Sequence, residues 1–178
     1  MSHRLPLLAL LRGHAPADPH EARMLAELTA FVEAHPACFE RSLLIGHVTG
    51  SAWIVGPARE RTLLLHHGKL DKWLQPGGHC DGSPDVAGVA LREAQEETGL
   101  KSLRLVSPRV FDVDNHAIPA RGAEPAHIHY DVRFLFEADP AEPLAVSEES
   151  HDLAWIELAG VSRYTQEESV LRMVRKTR

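Results

Sequence analysis

The start of the chain carries apolar residues at helical spacing. Leucines three positions apart share one face of the stretch 5–11, and a second apolar stripe runs through 25–32. Asp18 followed by Pro19 marks the start of the second helix, because aspartate caps a helix N-terminus and proline suits its first position. We therefore predict a helical N-terminal extension over residues 1–40 that packs on the rest of the protein.

From about residue 47 onward, short apolar and alternating runs replace the helical pattern and predict strands. The predicted strands are 47–55, 61–67, a short one at the start of 72–85 that runs into a glycine-rich loop, 103–116, 126–138 and 152–158. A helix is predicted between Asp85, as its cap, and Gly99, as its left-handed end. A closing helix is predicted over 166–176. Residues 41–178 should thus form one α/β domain, a mixed sheet covered by helices on both faces.

Charge and composition narrow the functional classes. The formal net charge is −6 and the pI is near 6.0, which argues against a nucleic-acid or anionic-membrane binder, because those need a basic surface. The apolar run 5–11 is too short to span a membrane, so we expect a cytoplasmic protein. Cys38 and Cys80 do not have the spacing of a disulfide framework or a zinc site, and we expect two reduced thiols.

Three glutamates lie close together on the helix predicted after the glycine pair at 77–78. Glu93, Glu96 and Glu97 would share one helical face beside Arg92, and like charges at this spacing destabilise a helix. A solvated acidic face is one interpretation. A site for Mg²⁺ or Mn²⁺ is the other, because these cations prefer oxygen ligands, and the glycines that feed into the helix let the backbone approach closely.

The stretch 78–100 resembles the Nudix box, G-x5-E-x7-R-E-U-x-E-E-x-G-U, in which U is a bulky aliphatic residue. The positions in register are Gly78, Arg92, Glu93, Glu96, Glu97, Gly99 and Leu100. The chain departs from the pattern at its first acidic position, which is Pro84 here. Asp81 and Asp85 are nearby carboxylates that could substitute for the missing acid.

The resemblance implies a Nudix-type α/β/α sandwich and Mg²⁺- or Mn²⁺-dependent hydrolysis of a nucleoside diphosphate linked to another group. By position it implies that Glu93, Glu96 and Glu97 are metal ligands, with the Gly78 carbonyl as a further one, and that Arg92 orients the glutamates. The catalytic group would then consist of Arg92, Glu96 and a general base. Glu148 or Glu149, in the loop before the last strand, or a glutamate of the box helix could be that base.

The chain holds 12 histidines, and several fall outside the box. His127 and His129 alternate on a predicted strand and therefore face the same way. Substrate contacts, plain structural histidines and a zinc site all stay open for them, although zinc would need further ligands that the sequence does not mark. We also expect substrate contacts from His79, next to Gly78, and from His116 and Arg121 in the loop 116–122.

Three functions compete on these residues. The first is a metal-dependent pyrophosphohydrolase of a small nucleotide-type substrate, without nucleic acid or membrane as partner. The second is a catalytically silent ligand sensor on the same fold, against which the intact glutamate set counts. The third is an isomerase of allylic diphosphates, which would need an active-site cysteine upstream of the box. The sequence leaves open whether the protein is a monomer or a homodimer.

Overall fold

The computed structural model describes residues 3–122, 125–147 and 150–177. The helices are α1 (Leu5–Arg12), α2 (Pro19–Ala34), α3 (Val86–Thr98) and α4 (Glu168–Thr177), with a 3₁₀ helix at Leu158–Arg163. The strands are β1 (Gly46–Val55), β2 (Arg61–His67), β3 (Lys72–Leu74), β4 (Gly77–His79), β5 (Arg104–Leu105), β6 (Asp112–Ile118), β7 (His127–Glu137) and β8 (Ser150–Glu157). None of the helices in these ranges is both long and apolar enough to cross a membrane.

The N-terminal helices begin where the sequence predicts and pack on the sheet. The Asp18 carboxylate accepts a hydrogen bond of 2.8 Å from the Glu21 amide, which caps α2 ahead of Pro19. The apolar faces of α1 and α2 are buried in the same core as β1 and α3, through Leu11 and Leu28 among others. The division into an extension at 1–40 and a domain at 41–178 stays a prediction.

Within the described ranges, the strands form one mixed sheet. The central pair, β1 and β7, runs parallel over ten residue pairs from Gly46 with Ile128 to Val55 with Glu137. The other pairings are antiparallel, with β2 and β4 on β1, β3 and β8 on β2, and β5 and β6 on β7. This confirms the predicted α/β class with a mixed sheet.

Strand β1 is buried along its whole length and separates two cores. Val48, Ala52 and Ile54 belong to the core beneath α1, α2 and α3. Trp53 belongs to the core that contains the buried side of α4, with Val55 at the strand end. Because successive side chains of a strand point to opposite faces, helices cover the sheet on both sides, as predicted.

Two predicted elements differ from the structure. The glycine pair was predicted as a loop, but Gly77–His79 forms the strand β4, which pairs with Ser51, Gly50 and Thr49 of β1. A side chain at Gly77 would overlap the Ser51 hydroxyl, so glycine is what allows this close pairing.

The predicted strand 103–116 is the second difference, because it is divided into β5 and β6. Pro108 and the turn in which the Ser107 hydroxyl accepts from the Arg109 amide at 3.2 Å interrupt it.

Candidate active site

The box helix α3 presses two of its glutamates onto strand β4. Glu97 Oε2 accepts a hydrogen bond of 2.9 Å from the Gly77 amide. Any side chain at Gly78 would collide with the carboxylate of Glu93. Gly99 ends the helix at φ 74°, in the left-handed region, as the sequence predicts. The glycine pair therefore allows two half-buried carboxylates to lie directly against the backbone of β4.

Arg92 connects the glutamates to the same strand. Its guanidinium lies 2.8 Å from Glu93 and 3.9 Å from Glu96, and it donates a hydrogen bond of 3.3 Å to the His79 carbonyl. Glu96 is the outermost of the three carboxylates, with 61% of its side chain exposed. This arrangement suits an orienting role for Arg92, because its guanidinium contacts two glutamates and the backbone of β4 at the same time.

The donor set of the box fits a hard divalent cation. Glu93, Glu96 and Glu97 carry three negative charges against the single positive charge of Arg92, which leaves an excess of negative charge beside β4. Oxygen ligands with residual negative charge suit Mg²⁺ or Mn²⁺, which keep several waters and bind through a few carboxylates. The assignment of Gly78, Glu93, Glu96 and Glu97 as ligands stays a prediction.

The structure gives each acid near Pro84 another role. Asp85 caps α3 by accepting from the Gly88 amide at 3.0 Å. Asp81 makes a bidentate ion pair with Arg41, at 2.6 Å for both bonds, and this pairing lowers the pKa of Asp81. Pro84 itself lines an apolar groove against α1. Whether either aspartate replaces the missing acid of the box stays a prediction.

Five histidines from four strands meet on the face of the sheet that carries Trp53. They are His47 of β1, His79 of β4, His116 of β6, and His127 and His129 of β7, and we call them the histidine cluster. Neighbouring rings in the cluster lie with centroids 4.8 to 5.4 Å apart. The sheet register explains the meeting, because His129 is the direct partner of both His47 and His116.

The cluster corrects one expectation and extends another. His116 lies in β6 rather than in the predicted loop, so its position is fixed by the pairing of β6 with β7. His127 and His129 share a face as predicted, with their Nε2 atoms 3.1 Å apart. Sequence reasoning missed His47, which is far from the others along the chain and joins them only through the parallel pairing of β1 with β7.

Burial keeps the inner rings of the cluster neutral. His47 is 2% exposed, and burial, followed by the charges of neighbouring His79 and His127, lowers its pKa to about 4. Burial also lowers the pKa of His129 to about 2, with the surrounding histidines adding to the effect. Within the described part of the chain, neither ring nitrogen of His47 has a hydrogen-bond partner. Both rings therefore present unprotonated nitrogen at neutral pH.

A buried ionic network continues the same face behind the histidines. Asp131 accepts hydrogen bonds from Thr49 at 3.0 Å, from Ser51 at 2.7 Å and from Arg133 at 2.7 Å. Arg133 is almost fully buried and also contacts Asp112 at 3.3 Å. These carboxylates raise the pKa of Arg133 despite its burial, so it stays charged. The network therefore lies next to the histidine cluster on the same face of β1 and β7.

Helix α4 joins this network through Arg172. Its guanidinium donates to both carboxylate oxygens of Asp112 at 2.8 Å. Lys176 contacts Asp112 at 3.1 Å and Glu21 of α2 at 2.7 Å. Burial opposes ionisation of Glu21, but hydrogen bonds from His14 and Lys176 outweigh it and hold its pKa well below the usual range. The network thus links α2, β6 and α4 into one unit.

The remaining predicted site residues are not brought into the cluster. Arg121 is exposed after the end of β6. Glu148 and Glu149, the candidates for the general base, lie outside the described residues. Cys38 and Cys80 are both free and buried, and burial raises the pKa of the Cys80 thiol.

Comparison with known proteins places the chain in a family. Residues 47–176 match the model of the NUDIX domain, which covers well over half of the chain. A search of curated protein sequences found no match.

Three similar solved structures show the same fold. The C. elegans Ap4A hydrolase in a binary complex has a TM-score of 0.58 and 20% identity, covering 72% of this chain and 93% of its own. The E. coli dihydroneopterin triphosphate pyrophosphohydrolase has a TM-score of 0.61 and 17% identity, covering 72% and 92%. A NUDIX-family hydrolase from Clostridium perfringens has a TM-score of 0.55 and 23% identity, covering 74% and 95%.

Proposed function

The chain belongs to the Nudix hydrolase family, and from that premise we propose that it is a Mg²⁺- or Mn²⁺-dependent pyrophosphohydrolase of a small nucleoside-diphosphate-linked substrate. By family it is a hydrolase of phosphoric anhydride bonds. The metal, the nucleotide-type substrate and a cytoplasmic location are parts of the proposal. The observation that carries it is the contact of Glu93 and Glu97 with the glycine pair of β4, beside Arg92.

The glutamates of α3 would hold the cation. Glu93, Glu96 and Glu97 would supply carboxylate oxygens, and the Gly78 carbonyl would add a ligand from β4. A bound cation supplies charge neutralisation for the diphosphate oxygens and a lower pKa for the attacking water. Arg92 keeps the carboxylates in position through its contacts with Glu93 and the His79 carbonyl.

A general base completes the proposed chemistry. Glu148 and Glu149 keep this role as candidates, since the loop that carries them precedes β8. Glu96 is the candidate on the box helix, because its exposed carboxylate can reach solvent and a bound substrate.

The substrate would extend from the box toward the histidine cluster. His79 connects the two regions, because its carbonyl accepts from Arg92 while its ring stands against His47 and His129. We propose that this face, with His79, His116, His127 and His129, contacts the part of the substrate beyond the scissile diphosphate. Arg121 would bind an anionic group of the substrate near the end of β6.

The buried thiols weigh against an isomerase of allylic diphosphates. Cys80, which lies inside the box, is buried in the core under α3, and its raised pKa keeps it protonated. Cys38 is buried in the same core. A thiol in this setting is a packing group rather than a proton donor to a substrate.

Chromatographic separation of the phosphate-containing hydrolysis products from a substrate panel tests the proposal. The panel comprises nucleotide sugars, dinucleoside polyphosphates including Ap4A, nucleoside triphosphates, dihydroneopterin triphosphate and coenzyme A, each with Mg²⁺, Mn²⁺ and chelator. Glu97→Gln keeps an oxygen for the Gly77 amide but removes the charge, so we expect turnover to fall on the order of 10²-fold or more while the fold is retained.

Glu157→Gln, at an exposed position of β8, is the matched control and should hydrolyse the best substrate at the wild-type rate. Wild-type turnover and Mg²⁺ dependence in Glu97→Gln would show that the metal assignment is wrong. A wild-type protein that is inert on the whole panel but binds one nucleotide tightly would favour the ligand sensor instead.

The double variant Asp81→Asn/Asp85→Asn tests whether these acids replace the one missing at Pro84. We expect a loss of turnover in the double variant if one of them serves the box. Full activity would leave catalysis intact and restrict Asp81 and Asp85 to their ion pair and helix cap.

A further inference from the structure

We infer that His47, His127 and His129 form a second metal site, separate from the box glutamates, for a borderline divalent cation such as Zn²⁺. Each of the three offers one ring nitrogen, and these three atoms all lie within 4.8 Å of one another. They come from the central parallel pair of strands, β1 and β7, which holds them in register.

The spacing of the nitrogens suits a small tetrahedral ion. Ligands at the usual Zn–N distance of about 2.0–2.1 Å lie roughly 3.3 Å apart around a tetrahedral centre. The Nε2 atoms of His127 and His129 are already 3.1 Å apart. The His47 nitrogen lies within 4.8 Å of the ligand atoms of both other histidines.

The burial of His47 gives an independent indication of a ligand. Its ring is 2% exposed and, within residues 3–122, 125–147 and 150–177, both of its nitrogens are without a hydrogen-bond partner. A buried polar group left unsatisfied destabilises the folded state. A cation between His47 and the two histidines of β7 would give one of these His47 nitrogens its missing partner.

A hydrogen bond on the far side of His127 orients that ring for metal binding. Its Nδ1 lies 2.9 Å from the Pro125 carbonyl, an acceptor, so the proton resides on Nδ1 and the lone pair on Nε2. This places the lone pair toward His129 and the rest of the site. Metal-binding histidines commonly donate their other N–H to a carbonyl in this way.

The two metal sites differ in the chemistry of their donors. The box offers carboxylate oxygens, which Mg²⁺ and Mn²⁺ prefer, whereas the histidine site offers imidazole nitrogens, which suit Zn²⁺ and similar ions. Three protein ligands leave a fourth position for water or an anionic oxygen. His116, which is 43% exposed, marks the side on which the site opens to solvent. A substrate would then meet His127 and His129 through the cation.

Zinc titration of the full chain, stripped with chelator, tests the inference without an activity assay. Calorimetry in excess Mg²⁺, which occupies the box, should find one Zn²⁺ equivalent in the wild type that persists in Glu93→Gln/Glu97→Gln. His47→Gln and His129→Gln should each lower the affinity at least 10- to 100-fold, since losing a ligand costs no less than losing its supporting partner. His151→Gln, an exposed histidine on β8, is the control and should bind zinc as the wild type does.

Circular dichroism of each variant keeps the test independent of folding, and His127→Gln replaces any variant that does not fold. Co²⁺ in place of Zn²⁺ should give visible bands of a tetrahedral nitrogen site in the wild type and lose them in the histidine variants. Zinc affinity that is unchanged in His47→Gln and His129→Gln, or that is lost only in the glutamate variant, would overturn the inference. Neither result depends on whether the protein hydrolyses diphosphates.

Discussion

Lowering the pH from 7 to 5 should destabilise the metal-free protein through His47, which is buried, and His129, which is half-buried. In the folded chain the pKa is lowered to about 4 for His47 and to about 2 for His129, against an ordinary value of 6.5. The unfolded state therefore binds more protons than the folded state in this window, so the free energy of unfolding rises with pH. Stability should be highest above pH 6.5 and fall steadily below it.

The size of the effect follows from the same values. pH 5 lies about 1.5 pH units below the ordinary histidine pKa. At 1.36 kcal/mol per unit, each histidine that stays neutral in the fold therefore lowers the free energy of unfolding by about 2 kcal/mol. His47 and His129 together should lower the free energy of unfolding by about 3–4 kcal/mol between pH 7 and pH 5. At about 2–4 °C per kcal/mol for a chain of this size, Tm should fall by roughly 10 °C.

Urea unfolding in the presence of chelator, at several pH values from 5 to 7, measures this dependence. His129→Gln removes one titrating ring and should reduce the pH dependence by about half, whereas the exposed His151→Gln should leave it unchanged. A free energy of unfolding that is flat from pH 7 to 5, or equal slopes in the wild type and His129→Gln, would refute the reasoning. Saturating Zn²⁺ should raise the free energy of unfolding across this pH range, because the cation binds the folded state.

Three further substitutions test contacts and site residues described above. Arg172→Met removes a bidentate partner of the buried Asp112, which keeps contacts with other cations, so the free energy of unfolding should fall by about 3 kcal/mol, at the low end for a broken buried pair. A loss under about 1 kcal/mol in urea titration would mean that the remaining cations suffice. Gly78→Ala should displace the Glu93 carboxylate without unfolding the chain and lower kcat on the order of 10²-fold, which steady-state kinetics and circular dichroism together would check. Arg121→Ala should raise KM roughly 10-fold with kcat little changed. An unaltered KM would mean that Arg121 does not contact the substrate. The free energy of unfolding of Arg121→Ala should stay within about 0.5 kcal/mol of wild type, so this variant serves as the control for Arg172→Met.

Local signals in the sequence were sufficient for the helices and the box. The cap at Asp18 and the left-handed end at Gly99 depend on neighbouring residues alone, and both are present in the structure. The family was also predictable, because the box positions have fixed spacings. By contrast, the glycine pair disfavours a strand by itself, and it becomes β4 only because β1 supplies a partner at close range.

The histidine cluster shows why the site was only partly predictable. Alternation along one strand was enough to place His127 and His129 on one face. Joining His47 to them requires the register of β1 with β7, and no turn connects these strands to fix that register locally. A signal for the ionic network was present, since Asp131 and Arg133 alternate within an apolar strand, where buried charges must be paired.

The long parallel pairing of β1 with β7 also determines how rigid the histidine face should be. Its ten residue pairs run through the middle of the sheet, and β1 is buried along its full length. Amide hydrogens in such a segment exchange only when most of the molecule opens, whereas short peripheral strands such as β3 and β5 exchange by local fraying. Ligands that bind between His47 and His129 therefore meet a surface already ordered before they arrive. Their affinity should carry little entropic cost from the protein, and hydrogen exchange in β1 should change little when they bind.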